Sequence, residues 1–286
     1  MSDIRIYAFA DEAGASLDAQ IDALRRNALH GLEARGLDGE SVSDISLEKA
    51  CAVRRRLADA GMTVWSAGSP IGKIDIARDD FPSHMDKLRH TLDVARALGA
   101  GNLRMFSFYI PAGEDPAMYR DEVLERLDRM AEAARGSGVT LCHENEKGIY
   151  GDNAARCLDV LQSVPEIVGV FDPANFIQCG QDTAAAWAML RPYIKYLHVK
   201  DALPDGGVVP AGRGVGRVAD IISDYIARGG TALTLEPHLS VFDGLAGLER
   251  AGQNRAANRP YVYESSDAAF DAAAAALRGL LKGIEA

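Results

Sequence analysis

Four short apolar runs in the second half of the chain each finish on, or close to, a side chain that can bind a cation. Gly138-Val-Thr-Leu-Cys-His-Glu144 leaves a glycine turn and stops on a carboxylate. Ile167-Val-Gly-Val-Phe-Asp172 ends on an acid, Ile194-Lys-Tyr-Leu-His198-Val carries an imidazole near its end, and Thr231-Ala-Leu-Thr-Leu-Glu236 ends on an acid again. Apolar runs of this length between turn residues read as buried strands. A carboxylate at the end of such a strand must be paired or bound to a metal, because a bare buried charge is costly. A single strand-end glutamate is more often a surface or salt-bridged residue. Four in series, separated by helical patterns, require strands whose C-terminal ends meet in one place.

The rest of the chain extends the alternation. Residues 4–9, 31–35, 62–66 and 102–106 supply four earlier strands. Helical patterns cover roughly 17–29 after Ser16, 46–60, 84–98, 116–135, 154–162, 184–190, 219–228 and 268–281. No tandem repeat and no clear linker interrupts them. A barrel of eight strand–helix units typically takes about 250 residues. The 286 residues therefore read as one domain, 1–286, an α/β chain folded as a single (β/α)8 TIM barrel.

Strand alternation sorts the candidates. With Glu144 facing inward, Cys142 and Thr140 face inward too, while Leu141 and Val139 meet helices. His198 shares a face with Tyr196 and Lys200, Asp172 with Val170, and Glu236 with Thr234 and His238. Glu33 and Arg35 pair this way at the second strand, Arg104 and Phe106 at the fourth. The polar candidates lie on the less apolar face each time, which suits the interior mouth of a barrel, where such folds place their active sites. His143 has the opposite parity and reads as a packing residue.

Composition removes other classes. A net charge of -10 disfavours a nucleic-acid partner, which needs excess Lys and Arg. No apolar run approaches the ~18 residues of a membrane span, and no leader pattern opens the chain, so the expectation is a cytoplasmic protein without a membrane partner. The four cysteines lack a CxxC pair and read as reduced.

Three carboxylates and one imidazole make a hard, oxygen-rich donor set. It suits a divalent cation, Mn²⁺ first, with Mg²⁺, Co²⁺ or Zn²⁺ also compatible. Such an ion can polarise a carbonyl and stabilise an enediolate. If Glu144 and Glu236 flank a substrate carbon, one removes a proton while the other returns one. That combination describes an aldose–ketose isomerase or a ketose epimerase.

The motifs Leu-Cys-His-Glu144-Asn, Phe171-Asp172-Pro-Ala-Asn, His198-Val-Lys-Asp and Leu-Glu236-Pro-His, with the loop Gly212-Arg213-Gly214, carry a resemblance. Over nearly its whole length the chain resembles the sugar phosphate isomerase/epimerase superfamily of xylose isomerase-like TIM barrels, which includes D-tagatose 3-epimerase-type enzymes and endonuclease IV. The resemblance implies that Glu144, Asp172, His198 and Glu236 are metal ligands, with the two glutamates as the acid/base pair. It also implies a small-molecule sugar substrate; relatives are often homodimers or homotetramers, and no sequence stripe marks an interface here. Many relatives carry a histidine three residues after the strand-six aspartate, and this chain has Asn175.

Arg35, Arg104, Asn175, Lys200, Arg213 and His238 are the candidate substrate-binding residues. Blander readings stand beside them: Arg35 and Arg104 as neutralisers of an acidic mouth, Lys200 paired with Asp201, Arg213 exposed in its loop. Gly212-Arg-Gly-Val-Gly216 has the composition of a phosphate cradle without the strand-to-helix context of one. The competing functions are a lyase or dehydratase on a keto-sugar or sugar acid in the same site, a DNA repair endonuclease, and a non-catalytic sugar-binding barrel. The acidic charge and six histidines disfavour the endonuclease.

Overall fold

The computed structural model of the protein describes residues 4–240 and 261–285. Eight parallel strands close into a barrel in chain order: β1 (Arg5–Ala8), β2 (Gly31–Ala34), β3 (Thr63–Gly68), β4 (Asn102–Met105), β5 (Thr140–Glu144), β6 (Val168–Phe171), β7 (Ile194–Val199) and β8 (Ala232–Leu235), with β8 paired to β1. Around them lie α1 (Leu17–Arg26), α2 (Leu47–Asp59), α3 (Phe81–Leu98), α4 (Arg120–Ala134), α5 (Ala154–Ser163), α6 (Pro173–Gln178), α7 (Thr183–Leu190), α8 (Val218–Ala227) and α9 (Ser266–Glu285). This is the (β/α)8 architecture that the alternation predicts. Short antiparallel ribbons follow β2 and β7.

Local chemistry starts the helices. Ser16 Oγ accepts from Ala19 N–H at 3.2 Å and Ser46 Oγ from Lys49 N–H at 3.1 Å, so each satisfies a donor the helix leaves unpaired. Two departures from the sequence reading have the same cause. The third helix begins at Phe81 rather than near residue 84, because Asp80 caps it and Pro82 in the first turn needs no N–H partner. The helix α6 adds to the helices read from the sequence; it begins because Asp172 itself is the cap, accepting from Asn175 N–H at 2.9 Å.

Inside the barrel, Tyr7, Cys142, Val170, Tyr196 and Ala232 form a small apolar cluster with Trp65 against it. Cys142, Val170 and Tyr196 lie two residues before Glu144, Asp172 and His198, so they form the layer beneath the mouth, as alternation requires. Tyr7 stacks on Trp65 with ring centroids 5.4 Å apart, and Tyr196 meets Trp65 edge-on at 5.9 Å. The register of β2 against β3 shifts between Leu32 and Glu33, which leaves Trp65 as an extra residue. The resulting bulge lets both Trp65 and Ser66 reach the interior, where Ser66 Oγ donates to Glu33 Oε1 at 3.2 Å.

Closure of the first strands depends on Gly31. A Cβ there would stand 1.8 Å from Thr63 O, a backbone atom held in the sheet. Gly31→Ala should cost about 3 kcal/mol or more through forced overpacking. Gly39→Ala, also at positive φ but with open space around it, should cost about 1 kcal/mol. Thermal unfolding followed by circular dichroism checks the difference; equal midpoints would refute the close-approach argument.

Candidate metal centre

Four consecutive strand ends converge at the mouth. Glu144 is the last residue of β5, Asp172 follows β6, His198 lies one residue from the end of β7, and Glu236 follows β8. All four side chains are buried. Each offers one ligand atom, and the four atoms lie within 4.8 Å of one another. Strand pairing positions them: Thr234, two residues before Glu236, pairs with His198, and a register shift between Gly169 and Val170 sets Val170, two residues before Asp172, opposite Tyr196.

Hydrogen bonds fix each member. His198 presents Nδ1 to Glu144 Oε1 at 3.1 Å and to Glu236 Oε2 at 3.4 Å, and Nε2 to Glu33 Oε2 at 3.1 Å. Glu33 is held in turn by Tyr196 Oη, 2.8 Å from its Oε1, and by Ser66. A carboxylate that anchors the far nitrogen of a ring is the usual partner of a metal-ligating histidine. Glu144 Oε2 accepts from Arg104 Nη1 at 2.9 Å, and Oε1 from Asn175 Nδ2 at 3.2 Å. Asn145 clamps the backbone of Asp172, with Nδ2 donating to its carbonyl at 3.0 Å and Oδ1 accepting its N–H at 2.9 Å. Lys200 Nζ stands 3.0 Å from Glu236 Oε2 and 2.7 Å from Asp172 Oδ2.

A second group continues the network toward β1. Arg35 donates to Asp11 Oδ2 at 2.9 Å, Glu12 Oε1 at 3.0 Å and Glu236 Oε1 at 3.4 Å. Its guanidinium lies over Phe9, 4.4 Å from the ring centroid, and Arg104 faces the same ring at 5.2 Å. His238 adopts a positive φ of 46° and donates its N–H to Glu12 Oε2 at 2.6 Å. Glu12, Glu236 and His238 also bring three ligand-type atoms within 4.8 Å, but Arg35 reaches all three residues and serves as their cation.

The donor set fits a divalent ion on electrostatic grounds. One connected network buries Asp11, Glu12, Glu33, Glu144, Asp172 and Glu236 against the obligate cations Arg35, Arg104 and Lys200. Burial pushes the Asp172 carboxyl up to about 7 against the pull of Lys200, with Glu236 and Glu144 adding to the rise. Burial likewise pushes Glu12 up to about 7 despite Arg35. For His198, burial favours the neutral ring, but Glu144 and Glu33 outweigh it and hold the imidazolium well above its ordinary range. Glu144 is pushed up by burial and pulled further down, to about 2, by His198 and Arg104. Asp172 Oδ2, buried, accepts no hydrogen bond among the described residues; Lys200 is near it but outside bonding geometry. A dication would supply the missing positive charge and a partner for that oxygen.

The other sequence candidates sort by position. Arg35, Arg104, Asn175, Lys200 and His238 all join the network. Arg213 is exposed, and its backbone N–H donates to Pro210 O at 3.0 Å. The reading of Lys200 as a partner of Asp201 is corrected: Lys200 turns to Asp172 and Glu236, and Asp201 takes the glycine loop. The phosphate cradle is corrected with it, because the amides of Gly212, Gly214 and Gly216 donate to the Asp201 carboxylate at 2.9, 3.0 and 2.9 Å. A Cβ at Gly214 would lie 2.2 Å from Ala202 O, which is why the loop needs glycine there. His143 points away from the quartet to Ser107 Oγ at 2.9 Å, as its parity implies. The structure adds Asp11, Glu12, Glu33 and Asn145 to the site residues that the sequence indicates. Strand parity in the sequence places Glu33 beside Arg35 at the mouth, and Asn145 closes the motif that ends β5, but neither pattern shows that they hold His198 and Asp172.

Solved structures share this fold at low sequence identity. L-ribulose 3-epimerase superposes with a TM-score of 0.74 at 21% identity, covering 100% of this chain and 96% of that one. The probable 3-DHS dehydratase AsbF from Bacillus anthracis matches with a TM-score of 0.73 at 16% identity, over 96% and 98% of the two chains. The IOLI protein with a binding zinc atom matches with a TM-score of 0.73 at 12% identity, over 99% of each chain. No curated protein matches the chain in sequence. Residues 21–251 match the xylose isomerase-like TIM barrel family, and with its closed eight-stranded barrel the chain belongs to that family.

Proposed function

We propose that the protein is a divalent-metal-dependent isomerase or epimerase of a sugar or sugar derivative. In this reading Glu144, Asp172, His198 and Glu236 hold the ion, Mn²⁺ first among the candidates, and Glu144 and Glu236 move the proton. The quartet carries the reading: four ligand-type atoms from four successive strands, within 4.8 Å, in a barrel of this family. The likeness in fold to L-ribulose 3-epimerase supports a sugar as substrate. When bound, the ion would polarise a substrate carbonyl and offset the charge that builds as the adjacent carbon loses its proton.

The chain's own residues supply the proton chemistry. Glu144 is kept ionised by His198 and Arg104 in spite of burial. Glu236 is likewise held well below its ordinary range, burial being outweighed by Lys200 and His238. Two ionised carboxylates from different strands offer a base at two points around a bound substrate. Substrate binding falls to Arg35, Arg104, Asn175, Lys200, Arg213 and His238. Arg104 keeps one buried donor, Nε–H, without a partner among the described residues, and we assign it to a substrate oxygen. Asn175 has no titratable proton, so its contribution is hydrogen bonding and not proton transfer. No described helix is long and apolar enough to cross a membrane, and we assign the protein to the cytoplasm.

Elemental analysis of the purified protein should find a near-stoichiometric divalent metal that falls sharply in His198→Ala. No bound ion in wild type, even after incubation with Mn²⁺, Mg²⁺, Co²⁺ and Zn²⁺, would sink the metal centre. Glu144→Gln and Glu236→Gln should each keep the native circular dichroism spectrum and lower turnover by about 10²–10⁴-fold. Both should also lose solvent deuterium incorporation into the sugar. A product lighter by one water would instead assign elimination. Glu33→Gln leaves the ligands in place but loosens the His198 ring, so metal affinity should fall about 10–100-fold, measured by chelator competition. Unchanged affinity would mean that Glu33 only fills space.

A further inference from the structure

Lys200 is an ammonium buried at the centre of the mouth, and both of its anionic partners belong to the quartet. Its Nζ lies 2.7 Å from Asp172 Oδ2 and 3.0 Å from Glu236 Oε2, and the side chain is 4% exposed. Burying an ammonium is costly unless anions surround it, so these two contacts hold it there. The geometry differs between them. Glu236 Oε2 accepts a hydrogen bond from Nζ, whereas Asp172 Oδ2 is approached closely without one. Asp172 does not owe its orientation to the lysine, because its other oxygen is fixed by Asn175 N–H at 2.9 Å and its backbone by Asn145. An oxygen held from elsewhere, aimed at the quartet and close to the ammonium without hydrogen-bond geometry, is open to a different cation.

Two cations cannot share these oxygens comfortably. A dication bound by Asp172 and Glu236 would take the lysine's partners and repel it at close range in a dry site. An alternative anion exists beside the mouth: Glu146, in the loop after β5, whose charge already acts on Lys200 and whose Oε2 lies 3.1 Å from Lys73 Nζ.

We propose that Lys200 is a resident counter-cation: it neutralises Asp172 and Glu236 while no metal is bound, competes with the incoming ion for both, and on loading turns out toward Glu146 and the substrate space. This rests on the metal centre proposed above. The exchange is of one cation for another; the lysine keeps its proton throughout. The arrangement explains how a barrel interior tolerates four converging metal-type ligands before any ion arrives. It also makes Lys200 a positioning residue whose charge faces substrate only in the loaded protein.

The test is a titration of metal-free protein with Mn²⁺, and separately Zn²⁺, against a chromophoric chelator. Wild type is compared with Lys200→Met and Lys200→Arg. Removing the competing charge should tighten binding in Lys200→Met by about tenfold or more. Lys200→Arg, which keeps the charge, should stay close to wild type. Equal or weaker binding by Lys200→Met overturns the proposal while leaving the metal centre standing. Should Lys200→Met prove unable to fold without metal, wild type decides. Reductive methylation read by peptide mass spectrometry should modify Lys200 slowly in metal-free protein and several-fold faster after the ion is added. Equal rates overturn the displacement. Failure of every form to bind either ion overturns the metal centre, and this proposal with it.

Discussion

Like charge gathered in one small volume is the constraint on which the mouth of this barrel depends. Six carboxylates are buried there in one connected network, against two guanidinium groups and one ammonium. Each is tolerable only because of its neighbours. Arg35 spans Asp11, Glu12 and Glu236; Arg104 holds Glu144; Lys200 bridges Asp172 and Glu236; and His198 is caught between Glu33 and Glu144. Removing one partner from such a network leaves an uncompensated buried charge, which is far more damaging than the pair is stabilising. The strain of this crowding shows in their titration: burial raises the Asp172 and Glu12 carboxyls to about 7, while Glu144 and Glu33 hold the His198 imidazolium above its ordinary range against burial.

The barrel supplies what this network needs. Closure of β8 onto β1 brings Glu236 and His238 against Asp11, Glu12 and Arg35, residues about two hundred positions away in the chain. Beneath them the aromatic layer of Tyr7, Trp65 and Tyr196 fills the interior, so the charged groups rest on a packed apolar floor. Tyr196 serves both layers, packing on Trp65 while its hydroxyl donates to Glu33. The low dielectric of that apolar floor strengthens each charge–charge contact above it. Carboxylates kept ionised in such surroundings are poised to bind a cation or to accept a proton.

Much of this is legible in the sequence. Eight apolar runs alternating with helical patterns predict the barrel, and two-residue periodicity correctly turns Glu144, Asp172, His198 and Glu236 inward while sending His143 outward to Ser107. The failures share a physical origin. Asp201 and the glycines at 212, 214 and 216 look like a lysine partner and a phosphate cradle, yet they satisfy each other, because a turn's amides bind whichever anion the fold brings nearest. The short helix after β6 was invisible because its cap is the same Asp172 that the strand delivers to the mouth. The parity of Glu33 is visible in the sequence but its role is not, since that depends on where His198 points.

By itself the sequence determined the class of fold, the four strand-end groups and the side of each strand they occupy. Those properties are local: they follow from hydrophobic period, turn residues and the alternation of a strand. Only the tertiary structure decided which charges meet. Pairings such as Arg35 with Glu236, Lys200 with Asp172 and His198 with Glu33 depend on barrel closure, on strand stagger and on the bulge at Trp65. Those are collective outcomes of packing, and no residue or spacing along the chain encodes them alone.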